Sequence, residues 1–322
     1  MDRVDHLQRR HTVLGFPLAV VYKFFDDQGN YLAAVITYYG VLAIVPLLLI
    51  ASSVLGFVLQ GDSRLAQHLL NSALSQFPIV GTEIRGPQGL TGSTSSVVFG
   101  GIAALYGVLG LGQAAQNAVN TVWAVPRNSR LNPILARLSS VLLLIAGGLT
   151  VLAVTVFSSV VNNLEAFGAA TSGAVSLLIN VGTVLLTAAV LAAMMRLATT
   201  QRQRLLAALP GALTVAVGWQ VLQSFGGDYV SRVVSRATEL NAFFAIVLGL
   251  IALIYIAAVI AVIGLEINVV LARRLWPRAL LTPFTDAVEL TEADERAYAG
   301  YAKAQRHKGF EEVDVSFEDH ED

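Results

Sequence analysis

Long runs of uncharged, mostly apolar residues recur along the chain and are separated by short polar segments. A helix needs about 20 apolar residues to cross a bilayer, because the hydrocarbon layer is about 30 Å thick and a helix rises about 1.5 Å per residue. Six runs reach this length, and they predict an all-α fold, a polytopic membrane bundle of about six transmembrane helices. The six runs are Leu32–Leu59, Val97–Val119, Leu138–Val161, Gly173–Met195, Leu206–Phe225 and Phe243–Leu271.

The fifth run also has a second interpretation, as a buried or re-entrant helix. Pro210 and Gly211 lie near its start, and Gln220 and Gln223 lie near its end. The placement of Lys and Arg argues against this alternative, because thirteen flank the runs on one side and four on the other, with the alternation that six crossings give. Cytoplasmic loops carry the excess of positive charge. We therefore expect a multi-pass membrane protein with both termini in the cytoplasm.

Three segments outside these runs have an apolar face and a polar face at helical spacing. They are Pro17–Asp26, Ser63–Phe77 and Tyr229–Leu240. Such helices lie in the headgroup layer or cap a bundle. Because the polar faces of the two external segments are not strongly basic, we favour a shared cap for them.

The chain divides into three parts by composition. Residues 1–31 form a cytoplasmic N-terminal segment with an amphipathic helix, and residues 32–271 form the six-helix transmembrane domain. Residues 272–322 form a cytoplasmic acidic tail, since twelve of the 22 acidic residues lie between Asp286 and Asp322. This composition predicts a short helix followed by partial disorder.

Composition excludes several classes of function. Hydrophobic residues make up 55% of the chain and charged residues 13%, about half the charged fraction of a soluble domain, and mean hydropathy is +0.65. A net charge of −1 leaves no basic footprint for nucleic acid. The chain has no cysteine, its five histidines have no metal-ligand spacing, and it lacks a phosphate-binding loop. We therefore expect no metal, no cofactor, no nucleic-acid partner and no catalytic activity.

Four amide side chains cluster at the end of the second run. Gln113, Asn117 and Asn120 share one helical face, with Gln116 beside it. Apolar surroundings penalise such groups unless they find partners. Either they hold helices together by hydrogen bonds of roughly 0.6 kcal/mol each, or they line a transport pathway.

The sixth run contains Glu266, which follows an uncharged stretch and precedes Asn268. A buried carboxylate at this position would require a cation or a proton, which would make both residues candidates for the same pathway. The nearby Arg273 and Arg274 favour a second interpretation, in which Glu266 pairs with an arginine near the cytoplasmic surface.

Two patterns in the first two runs concern how helices pack or bend. Pro46 removes a backbone hydrogen bond shortly after Tyr38 and Tyr39, which predicts a kink that is either architectural or a hinge. Small residues form a stripe along the second run and predict a packing seam. They are Ala103, Gly107, Gly110 and Ala114.

Several of these residues together resemble one family of bacterial inner-membrane proteins. The segment Tyr31–Leu49 resembles the first-span signature of the YihY/BrkB family, with matches at Tyr38, Tyr39, Pro46 and Leu47, although Ala43 and Val45 replace the usual Ser and Phe. The similarity extends in order from about Pro17 to Leu280. Its other matches are Gln116, Asn120 and Trp123, the run Leu209–Ala212, and Gly264, Glu266 and Asn268.

The resemblance implies a role in the bacterial envelope, such as export of a lipid or lipopolysaccharide. Members have also carried the label ribonuclease BN, but a metal-dependent nuclease needs clustered ligands that this chain does not supply. Our leading hypothesis is a transporter of an amphiphilic, lipid-like envelope component, with membrane lipids as partners. The alternative is a non-transporting scaffold for envelope assembly, and a lipid-modifying enzyme is third. The sequence leaves a homo-oligomer open.

Overall fold

The computed structural model describes residues 5, 8–58, 94–166, 173–199, 204–234, 239–280 and 288–317. This part of the chain is helical and contains no strand. A short 3-10 helix, Arg127–Ser129, lies between α3 and α4. The α-helices are α1 (Thr12–Asp26), α2 (Gly29–Val58), α3 (Thr94–Val122), α4 (Pro133–Ala166), α5 (Gly173–Ala198), α6 (Leu205–Val234), α7 (Glu239–Arg273) and α8 (Glu292–Ala304).

The long helices α2 to α7 confirm the all-α membrane bundle. A helix suits lipid because it satisfies its own backbone hydrogen bonds. Within the described residues, three helical segments are long and apolar enough to cross a membrane: Val181–Ala198, Leu205–Gly226 and Val247–Arg273. Two shorter apolar helical segments, Gly29–Ile44 and Pro133–Leu149, belong to α2 and α4. Six crossings and the orientation remain predictions.

The six long helices form a closed ring in chain order. Each packs against the next along the chain, and α7 returns to pack against α2. Connections of ten residues or fewer favour such contacts between consecutive helices from α3 to α7. Helices α2 and α3 pack together although 35 residues separate them in the chain. Helix α7 also contacts α1 and α3, and α3 also contacts α5.

Glycines set the closest helix crossings. On α3, a Cβ at Gly107 would meet the backbone of Leu42, and one at Gly110 would overlap the ring of Tyr39. These contacts confirm the packing seam predicted from the small residues of the second run. At the crossing of α6 and α7, a Cβ on Gly211 would overlap the carbonyl oxygen of Gly264. Only glycine permits this separation.

Several element boundaries differ from the sequence prediction. Helix α6 continues past Phe225 to Val234, so Tyr229 to Val234 extend the fifth long helix instead of starting a separate amphipathic one. The segment Ser63–Phe77 lies outside the described residues. The amphipathic helix expected at Pro17–Asp26 is present as α1 and begins earlier, at Thr12. Helix α2 runs through Pro46 to Val58, although the side chain of Pro46 is outside the description.

The tail packs against the bundle through α8. Thr291 caps this helix by accepting a hydrogen bond from the Asp294 N–H, while the Asp294 side chain accepts one from the Thr291 N–H. Asp294 is buried and pairs with Arg278 at 2.5 Å. The predicted short helix of the tail is therefore present and anchored by an ion pair.

Replacing Gly211 by Ala should destabilise the bundle, because the added methyl group forces α6 and α7 apart. Overpacking of this kind costs about 1–3 kcal/mol. The matched control is Gly148→Ala in α4, where a Cβ would meet nothing within 4 Å. Thermal unfolding of purified protein in detergent should show a lower midpoint for Gly211→Ala only. Equal midpoints for both variants would contradict the close crossing.

Candidate functional site

A cavity of 240 Å³ lies beside the C-terminal half of α3 and the start of α4. The four amide residues at the end of α3 that were predicted for a pathway all line it. Two arginines and a few small or apolar residues complete the wall. The lining residues are Gln113, Gln116, Asn117, Asn120, Arg130, Leu131, Pro133, Ala136 and Arg137.

Local sequence explains why these residues meet. Intervals of four and three residues place Gln113, Asn117 and Asn120 on one face of α3. The chain then turns at Ala124, whose φ is +44°, and the Val125 N–H donates to the Asn120 carbonyl at 2.8 Å. Asn132 caps α4 by accepting from the Leu135 N–H at 2.8 Å. This tight connection folds the start of α4 back beside the amides.

The four amides do not share one role. Gln116 is buried and donates to the Ala136 carbonyl at 3.0 Å and to the Ser140 hydroxyl at 3.1 Å. It therefore joins α3 to α4, as the helix-joining interpretation predicts. Gln113 and Asn117 are exposed and Asn120 is half-buried, so these three give the cavity its polar surface.

Arg130 and Arg137 give the cavity positive charge. Arg130 donates to the Asn117 side-chain oxygen at 3.3 Å and to the Val125 carbonyl at 3.2 Å. Burial and the neighbouring Arg127 lower the pKa of Arg130. None of the ion pairs found among the described residues includes Arg130 or Arg137.

Sequence reasoning used these arginines only to orient the protein and missed their place in the site. A usable signal was present, because Arg127, Arg130 and Arg137 all lie in the short stretch that follows the amide face. When a short connection joins two helices, amides at the end of the first helix and arginines in the connection or at the start of the second are expected to share one surface.

Glu266 does not line this cavity and belongs to a buried cluster of charges. Its carboxylate is fully buried and lies 3.5 Å from the ammonium nitrogen of Lys23 on α1. Lys23 also pairs with Asp27 and donates to the Val122 carbonyl at 3.0 Å. The contact between Glu266 and Lys23 fits the interpretation of a buried carboxylate that requires a cation. The alternative, a pair with Arg273 or Arg274, is wrong: Arg273 donates to the Trp123 carbonyl instead.

The buried cluster extends to the tail. Arg278 pairs with Asp294 and, at 2.8 Å, with Asp26, while the Tyr301 hydroxyl donates to Asp26 at 3.4 Å. Burial raises the pKa of Asp27, although Lys23 acts in the opposite direction. Lys23 faces two carboxylates, Asp27 and Glu266, so its positive charge balances only one of them.

Asn268 lies at the close crossing of α6 and α7 rather than in the cavity. Its oxygen accepts from the Gly211 N–H at 2.8 Å, and its nitrogen donates to the Ala208 carbonyl at 3.2 Å. Pro210, between these two residues, lacks a backbone donor. The Asn268 amide therefore bonds to the backbone of α6 on both sides of that proline.

Two of the three predicted hinge residues, Tyr38 and Tyr39, form an aromatic cluster with Tyr106 between α2 and α3. The ring centres of Tyr38 and Tyr39 lie 5.0 Å apart, and those of Tyr39 and Tyr106 lie 5.7 Å apart. The hydroxyl oxygens of Tyr39 and Tyr106 are 3.4 Å apart. Tyr38 and Tyr106 are both more than half exposed. The structure thus places this cluster on the flank of the bundle and separate from the residues that line the amide cavity.

Comparison with known proteins places the chain in a family. A family model described as virulence factor BrkB matches residues 20–284. The chain belongs to the BrkB family. Searches of curated proteins and of solved structures gave no significant match.

The matched region of this BrkB protein covers the amide cavity and the part of the buried cluster that precedes α8. It includes Lys23, Glu266 and Arg278 in the buried cluster and the whole lining of the amide cavity. Within the described residues, no group of three or more His, Asp and Glu side chains is arranged to hold a metal ion. The family resemblance includes Gly264, Glu266 and Asn268. In this chain Gly264 and Asn268 lie at the close crossing of α6 and α7, and Glu266 faces Lys23 in the buried cluster.

Removing Lys23 should harm the fold more than neutralising Glu266. Lys23→Met leaves two buried carboxylates without their cation, and breaking a buried pair costs about 3–5 kcal/mol. Glu266→Gln instead leaves one ammonium facing one carboxylate, so its thermal midpoint should stay near that of the wild type. Lys303→Met, at an exposed position on α8, is the control.

Thermal unfolding in detergent measures all three variants. The double variant Lys23→Met/Glu266→Gln should recover part of the stability lost in Lys23→Met, because one unpaired charge is gone. If Glu266→Gln were as unstable as Lys23→Met, the interpretation that two carboxylates share one ammonium group at Lys23 would be wrong.

Proposed function

We propose that this BrkB protein transports an amphiphilic, lipid-like component of the cell envelope across the bacterial inner membrane, without catalysing a reaction. One observation carries the proposal: the amide face of α3 lines a cavity at the side of a membrane bundle. If these amides served only to join helices, each would face a neighbouring helix as Gln116 does. Gln113 and Asn117 are exposed instead.

The surroundings of the cavity suit a molecule with a polar head and an apolar chain. Leu131, which lines the cavity, is 42% exposed, and Leu138 on the next turns of α4 is 59% exposed. Apolar side chains continue outward along α4. They include Ile134, Leu142, Ile145 and Leu149, all more than half exposed. A polar head in the cavity could therefore leave its chain against apolar surface and the surrounding lipid.

The orientation expected from the Lys and Arg distribution puts this cavity near the cytoplasmic surface. The loop that carries Arg127 and Arg130 is one of the positively charged connections. In the proposed function, the cavity receives its substrate from the cytoplasmic leaflet. The buried cluster around Lys23 stabilises the same end of the bundle without contacting the substrate.

A scaffold function is the second candidate, because three exposed glutamates lie at or just before the start of α8, one of which, Glu292, pairs with Arg296. Glu289, Glu292 and Glu295 are exposed, while Asp294 is buried against Arg278. A fixed acidic surface could bind a basic partner protein. The transporter and scaffold proposals differ in which surface is required for function.

Replacing the cavity amides should abolish function while leaving the fold intact. Asn117→Leu and Asn120→Leu keep approximate size but remove the polar groups that would receive a head. We expect each variant to accumulate in the membrane at the wild-type level. Neither should restore the lipid distribution of a deletion strain, measured by untargeted lipid analysis of separated membranes.

Two controls separate this result from lost stability. Gln116→Leu removes two hydrogen bonds between α3 and α4 and should lower the thermal midpoint, at roughly 0.6 kcal/mol per bond. Thr187→Val on α5 removes a hydroxyl that bonds only to the Thr183 carbonyl of its own helix among the described residues, and it should restore function fully. Full complementation by both Asn variants would rule out the cavity as a pathway. It would favour the scaffold, which reversing the charges of Glu292 and Glu295 tests directly.

A further inference from the structure

We propose that the amide cavity selects an anionic headgroup, with Arg130 and Arg137 binding the phosphate of an acidic lipid. This inference rests on the proposed function, because it names the substrate class of the same cavity. Binding is nevertheless measurable apart from transport. The argument starts from the charge balance of the cavity wall.

The wall carries two cations and no anion. Its nine lining residues include Arg130 and Arg137 but no Asp or Glu, and the third arginine of the loop, Arg127, adds to the positive field at Arg130. In contrast, Lys23 and Arg278 at the same end of the bundle each pair with at least one carboxylate. The described structure therefore leaves the charge of the cavity uncompensated by the protein.

The geometry adds donors of the kind that bind phosphate. Arginine presents several N–H groups in a planar fork that fits phosphate oxygens, and amide side chains add neutral donors. Helix α4 begins at Pro133 on the cavity wall, so the positive end of its dipole points there. Three independent features thus favour an anion at one place.

A lipid phosphate fits this cavity better than free phosphate does. The cavity opens beside the exposed apolar residues of α4, beginning with Ile134, which is 79% exposed. An acyl chain attached to the bound phosphate would cover this surface, whereas a free phosphate would not. Basic pockets between membrane helices on the cytoplasmic side are a known mode of acidic-lipid recognition.

The experiment titrates purified full-length protein in detergent with phosphatidylglycerol, phosphatidylcholine or inorganic phosphate. A ligand that binds the folded state raises the thermal midpoint, and at one concentration a tighter ligand raises it more. At equal concentrations we expect a clear rise with phosphatidylglycerol and a much smaller one with either other ligand. Equal rises with phosphatidylcholine would overturn the charge selection, and equal rises with inorganic phosphate would overturn the lipid assignment.

Single substitutions locate the site. Arg137→Gln should weaken phosphatidylglycerol binding about fivefold or more, since each cation near an anionic lipid contributes about that factor. Arg137→Lys keeps the positive charge but loses the planar fork, so its affinity should lie between those of Arg137→Gln and the wild type. Arg196→Gln, which removes an exposed arginine of α5 on the same predicted membrane side, is the matched control.

Arg130→Gln provides a second measurement if Arg137 proves replaceable. Unchanged affinity in both the Arg130 and Arg137 variants would overturn the proposal. If phosphatidylglycerol binding depends on Arg137 while the Asn117 variant still complements, the headgroup site stands and transport fails. If Asn117 is required in cells while phosphatidylglycerol does not bind, transport stands and the anionic substrate class fails.

Discussion

The contacts of the buried Lys23 ammonium group hold together the end of the bundle where α1, α3, α7 and α8 meet. This group extends from α1 to the end of α3, where it bonds to the Val122 carbonyl, and to α7, where it faces Glu266. It also lies 5.1 Å from the centre of the Tyr301 ring on α8. A charge removed from water must find such partners, because isolated burial is far too costly. Four helices are thus held together at one cation.

This junction fixes the position of the cavity. Val122 ends α3, and the turn that follows it carries Trp123, whose carbonyl bonds to Arg273. With the end of α3 held from the α1 and α7 side, the following hairpin places Arg130 against Asn117. The two polar regions differ in how their charges are satisfied. The cations of the cluster around Lys23 have carboxylate partners within the protein, while the cavity has cations that an external anion would balance.

The crossing of α6 and α7 shows how an apolar bundle accommodates a helix with a proline inside it. Pro210 has no N–H to donate, and neighbouring backbone groups need other partners in lipid. Asn268 bonds to the backbone on both sides of that proline, and its nitrogen also lies 3.5 Å from the sulfur of Met195 on α5. The glycine pair, Gly211 and Gly264, brings the backbones close enough for these bonds. The Asn268 side chain on α7 therefore contacts both α6 and α5.

The sequence alone determined the local features of this BrkB protein. Apolar runs of bilayer length identified the long helices, and spacings of three and four residues identified the amide face of Gln113, Asn117 and Asn120, because both patterns repeat within one helix. Pairings between distant parts of the chain were decided only by the tertiary structure. Lys23 meets Glu266, and Asn268 meets Gly211, across helices whose relative positions no local period encodes. The partner of Glu266 was mispredicted for this reason: sequence proximity favoured Arg273, whereas packing of α1 against α7 brought the lysine closer.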